Sequence, residues 1–313
     1  MNFITTICIA LTLCHIGSAS ASFIKCPTEQ FEGENVQRFN SPLKPSAPTP
    51  NTRQSDSSIL QDTCNGVLNA STGGISYKAF QPISENERCI WTIRAGGVGG
   101  GGFNLTILTV GSLGSSDTQL IATCLSFRNM PRHVLLNQTG PVNGISACSL
   151  LVITFATGND IAGSTGFVLE YSELRPGTIS PQSVDHIVDA GNGGFLRHPS
   201  EASHYTNSEL STFIFVPGNN DQDKAVERSI NVMYFRGTLD TNYICYDHLR
   251  VLRFNKSSTV PTKWQDEGLI CADTASDLIV SPDLLLITFD TDSSITGTGF
   301  QFAFTETSTY PCS

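Results

Sequence analysis

Three aspartates in the C-terminal third of the chain form a candidate cation site. Asp240 and Asp247 flank Cys245, and a strand-like segment of alternating polarity follows Asp247. Further along, the apolar segment 284–289 opens into an acidic loop that contains Asp292. If the fold brings these carboxylates together, they supply the hard oxygen ligands that Ca²⁺ prefers. They could equally form an acidic binding site for a cationic group of a partner. The pattern therefore indicates a binding module.

Sequence motifs of the common hydrolases do not occur in the chain. There is no His-Glu-x-x-His, no Gly-x-Ser-x-Gly and no Gly-Asp-Ser-Gly-Gly. The histidines beyond residue 21 are scattered along the sequence, at His133, His186, His198, His204 and His248. We therefore predict a protein without catalysis.

The N-terminus predicts a secretory signal peptide over residues 1–21. Residues 3–16 are largely apolar, and the small residues at 17–21 resemble a signal-peptidase site with cleavage after Ala21. This run is too short to span a bilayer comfortably, and no later segment qualifies as a membrane span. The expected location of the mature chain is therefore extracellular, without a membrane anchor.

Cysteine usage agrees with an oxidising compartment. Cys8 and Cys14 belong to the predicted signal peptide. The eight cysteines that remain predict four disulfides, and they are Cys26, Cys64, Cys89, Cys124, Cys148, Cys245, Cys271 and Cys312. Sequons for N-linked glycosylation begin at Asn69, Asn104, Asn137 and Asn255.

The formal net charge of −10 narrows the class of partner. An acidic surface argues against nucleic acid and anionic lipid, and it permits a basic protein partner. The alternative is that the charge only keeps a secreted protein soluble.

The chain changes character at Cys64. Residues 22–63 are predicted to be a disordered linker, because residues 41–50 are rich in Pro, Ser and Thr and can bury little apolar surface. Beyond Cys64, short apolar or alternating runs recur between turn signals, which predicts an all-β sandwich or barrel. Examples of these predicted strands are 103–110, 150–155, 167–171, 213–216, 230–235, 284–289 and 300–304.

The chain also repeats itself. Residues 150–155, followed by a loop and Gly166-Phe167, match residues 284–289, followed by a loop and Gly299-Phe300. A spacing of this length indicates two homologous domains rather than a solenoid. We place the domains at 64–174 and 175–313, with the boundary in a polar stretch that contains Pro and Gly.

An ordered series of motifs in each repeat resembles the CUB domain, a secreted, jelly-roll-like β-sandwich. The first repeat offers Cys64, Gly74-Ile75, Cys-x-Trp-x-Ile at 89–93, Leu-x-Ile-x-Phe at 151–155 and Gly166-Phe167. The second offers Gly194-Phe195, Tyr205, Phe213, Cys-Tyr-Asp at 245–247, its own apolar strand at 284–289 and Gly299-Phe300. The resemblance covers about residues 64–309. The second repeat departs from the pattern, because Ser211 stands where the first repeat has Cys89.

The resemblance implies three disulfides, Cys64–Cys89, Cys124–Cys148 and Cys245–Cys271. Cys26 and Cys312 are left, either to bridge the linker to the C-terminus or to pair between chains. The resemblance also implies a Ca²⁺ site in the second repeat, formed by Tyr205, Asp240, Asp247 and Asp292, with Asp290 as a rival to Asp292. The alternative is that these aspartates are ordinary turn residues.

Together these features predict a secreted binding protein of two tandem CUB-like domains that recognises an extracellular protein. The expected contact is a Lys or Arg of that partner. Two other functions stay open at this point. One is a carbohydrate-binding or adhesion protein, which exposed aromatic side chains at one loop end would favour. The other is a non-catalytic partner of an extracellular protease.

Overall fold

The computed structural model describes residues 59–309, with gaps at 96–100, 112–117, 128, 146, 160, 176–182, 219–226, 236–244, 257, 272–277 and 282. All described residues belong to one compact unit, Ala47–Pro311. The predicted signal peptide, most of the predicted linker, Cys26, Asp240 and Cys312 lie outside the described residues. Within the described ranges, no helix has the length and apolar character needed to cross a membrane.

The described chain is built almost entirely of β-strands. Ten of them precede residue 174, and they are β1 Ile59–Gln61, β2 Gly66–Leu68, β3 Thr72–Pro82, β4 Arg88–Arg94, β5 Phe103–Val110, β6 Gln119–Leu125, β7 Arg132–Leu135, β8 Gly140–Pro141, β9 Leu150–Ala156 and β10 Thr165–Glu173. Nine follow, and they are β11 Asp185–Asp189, β12 Gly194–His198, β13 Leu210–Val216, β14 Glu227–Phe235, β15 His248–Phe254, β16 Trp264–Ile270, β17 Leu278–Ser281, β18 Leu285–Asp290 and β19 Phe300–Thr309. A short 3-10 helix, Ala190–Asn192, separates β11 from β12.

These strands form four sheets, two in each repeat. In the first repeat, sheet 1 has the order β1-β3-β10-β5-β8 and sheet 2 the order β2-β4-β9-β6-β7. In the second repeat, sheet 3 has the order β11-β13-β18-β15-β16 and sheet 4 the order β12-β19-β14-β17. Each sheet is mainly antiparallel, and the first strands of sheets 1, 2 and 3 pair in parallel with their neighbours. The predicted all-β fold of two tandem sandwiches is confirmed.

The boundary of the predicted linker needs correction. Strand β1 lies inside the segment 22–63, and it pairs in parallel with β3, with Leu60 opposite Gly74. The ordered first sandwich therefore begins before Cys64. The reason is that Ile59 and Leu60 provide a short β-forming run at the end of a polar segment, and an existing sheet edge can recruit such a run.

Each sandwich encloses its own apolar core. In the first, Trp91 and Phe155 of sheet 2 pack against Ile75, Leu105 and Phe167 of sheet 1. In the second, buried residues of sheets 3 and 4 form the matching cluster, which includes Phe213, Phe215, Ile287, Phe289, Phe300 and Phe302. Phe213 fills the place of Trp91, because His186 pairs with Phe213 as Gly66 pairs with Trp91 at the start of the corresponding sheet.

A third apolar cluster joins the two sandwiches. Leu150, Val152 and Ile90 of sheet 2 pack in one buried group with Leu284 and Leu286 of the second repeat. As a consequence, all seven residues of strand β9 are buried. Alternate residues of β9 face the core of the first sandwich or the neighbouring sandwich, so both faces of the strand are covered.

The two sandwiches contact each other through equivalent faces. Leu150 and Val152 match Leu284 and Leu286 in the sequence repeat, and both pairs lie in the shared cluster. This arrangement has the character of an isologous interface, in which two copies of one surface pack together. The four sheets therefore stack with apolar layers between sheets 1 and 2, between sheets 2 and 3, and between sheets 3 and 4.

The three disulfides implied by the resemblance are confirmed as Cys64–Cys89, Cys124–Cys148 and Cys245–Cys271. In the second sandwich a hydrogen bond replaces the first of these bridges. The backbone N–H of Val184 donates to Ser211 Oγ over 3.0 Å, and these residues stand where Cys64 and Cys89 stand in the first sandwich. Polar contact thus holds β13 to the segment before β11 at this place.

Candidate functional site

Tyr205 and Asp247 form the buried part of the predicted cation site. Tyr205 lies in the loop between β12 and β13, and its ring packs edge-on against Phe289 with centroids 5.0 Å apart. Asp247 directly precedes β15 and is fully buried. The Tyr205 phenol donates a 2.5 Å hydrogen bond to Asp247 Oδ2. The nearby Cys245–Cys271 bridge fixes the entry to β15.

Asp292 joins this cluster from the loop after β18. Its backbone N–H donates to Asp247 Oδ1 over 2.8 Å, so two loops meet at the Asp247 carboxylate. Its own carboxylate accepts the backbone N–H of Ser294 at 2.6 Å and the Ser294 hydroxyl. A second contact closes the site, because the Ser208 N–H donates to the Asp292 carbonyl oxygen at 2.5 Å.

The rival aspartate occupies a different position. Asp290 is the last residue of β18 and is almost completely buried. Strand alternation places it on the face shared by Leu286, toward the first sandwich, whereas Phe289 faces the core of the second sandwich. Of the two alternatives, the structure therefore brings Asp292, not Asp290, to Tyr205 and Asp247. Asp240 lies outside the described residues.

The chemistry of this cluster suits a hard cation. Carboxylate oxygens are hard ligands of the kind that Ca²⁺ prefers, and Asp247 and Asp292 each supply one carboxylate. Asp292 is half-buried at the surface, where a carboxylate can reach an ion or a partner's cation. Within the described ranges, no three His, Cys, Asp or Glu side chains are grouped closely enough to hold a metal ion. The described donors are the carboxylates of Asp247 and Asp292 and the phenol of Tyr205. A Ca²⁺ site would need a further carboxylate.

A buried Glu–His pair adjoins the loop that carries Tyr205, and it was not predicted from the sequence. Glu209 Oε1 is 2.6 Å from His198 Nε2, and both side chains are almost fully buried. The same carboxylate accepts the Ser211 hydroxyl at 2.5 Å and the Thr206 N–H at 3.3 Å. Since Thr206 adjoins Tyr205, Glu209 anchors the loop that carries the site.

The first sandwich has the same anchor with a different partner. Glu87 Oε1 accepts the Ser84 N–H at 2.8 Å, and Glu87 Oε2 accepts the Tyr77 phenol at 3.1 Å. Tyr77 pairs with Phe167 as His198 pairs with Phe300, so the two partners occupy equivalent positions. Burial, with the neighbouring Glu87 carboxylate, raises the pKa of Tyr77 well above its ordinary value.

A repeat signal in the sequence could have revealed these anchors. Glu87 stands two residues before Cys89, and Glu209 stands two residues before Ser211. Thr157 and Thr291 stand two residues after Phe155 and Phe289. Each threonine hydroxyl accepts the backbone N–H of its glutamate, at 2.7 Å in the first sandwich and 2.8 Å in the second.

The first sandwich shows no counterpart of the aspartate cluster among its described residues. Asn159, in the loop after β9, is exposed, and Asp160 is not described. The stretch after Cys124 supplies no acid. The candidate site therefore belongs to the second sandwich.

Comparisons with known proteins are weak at the level of sequence. No family model and no curated protein matches the chain. Among solved structures, the CUB1-EGF-CUB2 domains of rat MASP-1 are similar over 77% of this chain and 99% of that chain, at 12% identity and a TM-score of 0.28. The CUB1-EGF-CUB2 domain of human MASP-1/3 is similar over 76% of this chain and 100% of that chain, at 13% identity and a TM-score of 0.29.

A third structure, the full extracellular region of zebrafish Gpr126/Adgrg6, is similar over 78% of this chain and 36% of that chain, at 11% identity and a TM-score of 0.26. At such identities and TM-scores the likeness carries no argument about family, ligand or activity. The sandwich fold rests on the strands and sheets described above.

Proposed function

We propose that this chain is a secreted, non-catalytic binding protein of two CUB-like sandwiches that recognises an extracellular protein. We further propose that Tyr205, Asp247 and Asp292, together with Asp240, hold Ca²⁺ in the second sandwich. The observation that carries the proposal is the meeting of two loops at the buried Asp247 carboxylate. A bound cation would neutralise the aspartates and tie these loops together.

Charge and position support a cationic partner group. The chain has a net charge of −10. Asp292 and its neighbours Ser293 and Ser294 form a loop surface at one end of the second sandwich, and the two serines are exposed. A Lys or Arg of a partner can reach such a loop, and an ion-ordered loop loses less conformational entropy on binding.

Calorimetry on the secreted full chain tests the cation. We expect saturable Ca²⁺ binding that Asp292→Asn weakens at least tenfold, because one charged oxygen ligand is lost. Asp240→Asn should have the same effect, whereas Asp62→Asn, an exposed acid of the first sandwich, should leave the isotherm unchanged. Absence of Ca²⁺ heat at millimolar ion, or equal isotherms for all three variants, would overturn the cation site.

Capture from extracellular fluid tests the partner. We expect the immobilised chain to retain a protein in Ca²⁺ and to release it in EDTA. Capture that is insensitive to EDTA and to Asp292→Asn would place the contact elsewhere. A glycan array with the same protein separates protein recognition from carbohydrate binding, and a captured protease would support the role of non-catalytic partner.

A further inference from the structure

Two of the sequons lie at the same end of the first sandwich. Asn69 precedes β3, and Asn104 is the second residue of β5; both side chains are exposed. Their hydroxyl residues, Ser71 and Thr106, are half-buried and belong to the described chain. The acceptor asparagines therefore already stand in solvent, where a glycan needs no rearrangement of the fold.

Strand register places these two sequons at the same end of sheet 1. Asn104 pairs with Ser172, and Ser172 pairs with Thr72, the first residue of β3. The Glu173 N–H donates to the Ser71 carbonyl oxygen at 2.7 Å, which fixes the Asn69 sequon at the entry to β3. Two strand spacings, about 10 Å, therefore separate β3 from β5 across this row.

The face of sheet 1 that carries Asn104 is the outer face of the stack of four sheets. Phe103 and Leu105, on either side of Asn104, are buried in the core of the first sandwich, so Asn104 points away from that core. Among the described residues, the apolar contact of the second sandwich is with sheet 2. The row that contains Asn104, Ser172 and Thr72 is small and polar, which suits a hydrated sugar.

We propose that Asn69 and Asn104 both carry N-linked glycans on the same molecule, so that a glycan pair covers one end of the outer face of sheet 1. The proposal shares with the proposed function only the entry of the chain into the secretory pathway. It assigns sheet 1 to glycan and leaves the loop end of the second sandwich free for a protein partner.

Asn255 provides an internal comparison. It follows β15 and is half-buried, and its backbone N–H donates to the Lys263 carbonyl oxygen at 3.0 Å. The next residue, Lys256, contacts both sandwiches, through Asp283 and through Asn86 of the first. A glycan at Asn255 would crowd this contact between the two sandwiches. We therefore expect Asn255 to be unmodified in the folded, secreted protein.

Mass spectrometry of the full chain secreted from eukaryotic cells tests the proposal. Release of glycans by a peptide N-glycosidase in heavy-oxygen water converts each occupied Asn to labelled Asp. We expect label at Asn69 and Asn104, intact mass consistent with both glycans on one molecule, and none at Asn255. Thr106→Ala should remove the glycan at Asn104, whereas Thr106→Ser should retain it; Ser71→Ala and Ser71→Thr form the matched pair for Asn69.

The outcomes separate this proposal from the proposed function. A secreted protein with unlabelled Asn69 or Asn104 overturns the glycan pair and leaves the Ca²⁺ site untouched. Labelled Asn255 would show that the contact between the two sandwiches leaves room for a glycan there, contrary to our expectation. A chain that carries both glycans but binds no Ca²⁺ overturns the cation site alone, and a chain that never enters the secretory pathway overturns both.

Discussion

Arg94 of the first sandwich and Asp185 of the second form a buried, two-point ion pair. Arg94 Nε donates to Asp185 Oδ2 over 2.7 Å, and Arg94 Nη2 donates to Asp185 Oδ1 over 2.6 Å. Their side chains are only 6% and 3% exposed. The third guanidinium nitrogen donates to the Leu210 carbonyl oxygen at 2.7 Å. At the other end of β4, Arg88 donates from Nε at 3.1 Å and from Nη2 at 3.0 Å to a single oxygen, Asp283 Oδ1. The two arginines thus fix the register of one sandwich on the other.

Removal of one partner from this pair should be strongly destabilising. Arg94→Ala leaves the Asp185 charge buried without its counter-ion, and such losses cost about 3–5 kcal/mol. We expect the free energy of unfolding, measured by denaturant titration, to fall by that amount. Glu267→Gln is the matched control, because its pair with Arg253 is about one-third exposed and should contribute under about 1 kcal/mol. Equal effects from the two variants would contradict a desolvated pair.

Several strands of this protein could be predicted because their sequences are locally consistent. Strand β5 alternates buried with more exposed residues over Phe103–Val110, the period of a sheet with one covered face, and the predicted bounds are the observed ones. The repeated Leu-x-Ile-x-Phe and Gly-Phe motifs also located β9, β10, β18 and β19 correctly. Local pattern is sufficient for this level of structure.

The packing of one sandwich on the other was not predicted, although the sequence contains a signal for it. Strand β9 is apolar almost throughout, and a short apolar run indicates a strand without showing what covers its second face. Arg88 and Arg94 are charges at the ends of a fully buried strand, and their partners, Asp283 and Asp185, lie far away in the sequence. Such pairings depend on three-dimensional contact between repeats, which spacing alone does not encode.

Sequence reasoning identified only some of the residues around Asp247, for a similar reason. Asp247 and Asp292 could be placed because each adjoins a recognisable strand, β15 or β18. Glu209 was missed because its carboxylate is held by Ser211 and His198, and neither residue type marks a motif on its own. Only comparison of the two repeats, with Glu87 in the equivalent position, distinguishes it from a solvated acid.

The apolar cluster shared by the two sandwiches should contribute to the free energy of unfolding as much as a domain core does. Leu286 is fully buried in the shared cluster, whereas Leu269 of the edge strand β16 is 43% exposed. We expect Leu286→Ala to lower the free energy of unfolding by about 2–5 kcal/mol, because the cavity cannot collapse between two rigid sheets. Leu269→Ala should cost under about 1 kcal/mol. If Leu286→Ala is as mild as its control, the sandwiches do not pack tightly in solution.

Stability should fall on acidification through His133, which stacks on Trp264 of the second sandwich at an interplanar angle of 6°. Burial lowers the pKa of His133 from its ordinary 6.5 to about 4, although Asp266 acts in the opposite direction. Between these values the unfolded chain binds a proton that the folded chain does not, so stability is present above pH 6.5 and is lost as the pH falls toward 4. The expected loss is on the order of 3 kcal/mol, because each unit of pKa difference corresponds to about 1.4 kcal/mol.

A His133→Phe variant isolates this effect, because it keeps an aromatic ring against Trp264 and removes the titration. Denaturant titrations across the same pH range should give the wild-type chain a steeper loss of stability than the variant. Parallel pH profiles would show that His133 is solvated when the chain is folded.

Tyr205→Phe should destabilise the second sandwich while the fold is retained. The phenol donates a hydrogen bond to the fully buried Asp247 carboxylate, and removal of a donor to a buried charged group costs about 1.5–3 kcal/mol. The phenylalanine ring can keep the edge-on contact with Phe289, so the loss isolates the hydroxyl. Ser294→Ala is the control, because Ser294 is exposed and its backbone N–H still bonds to Asp292; we expect a change within about 0.5 kcal/mol. Denaturant titration in EDTA measures the hydrogen bond without added cation, and an unaltered midpoint for Tyr205→Phe would mean that Tyr205 does not hold Asp247.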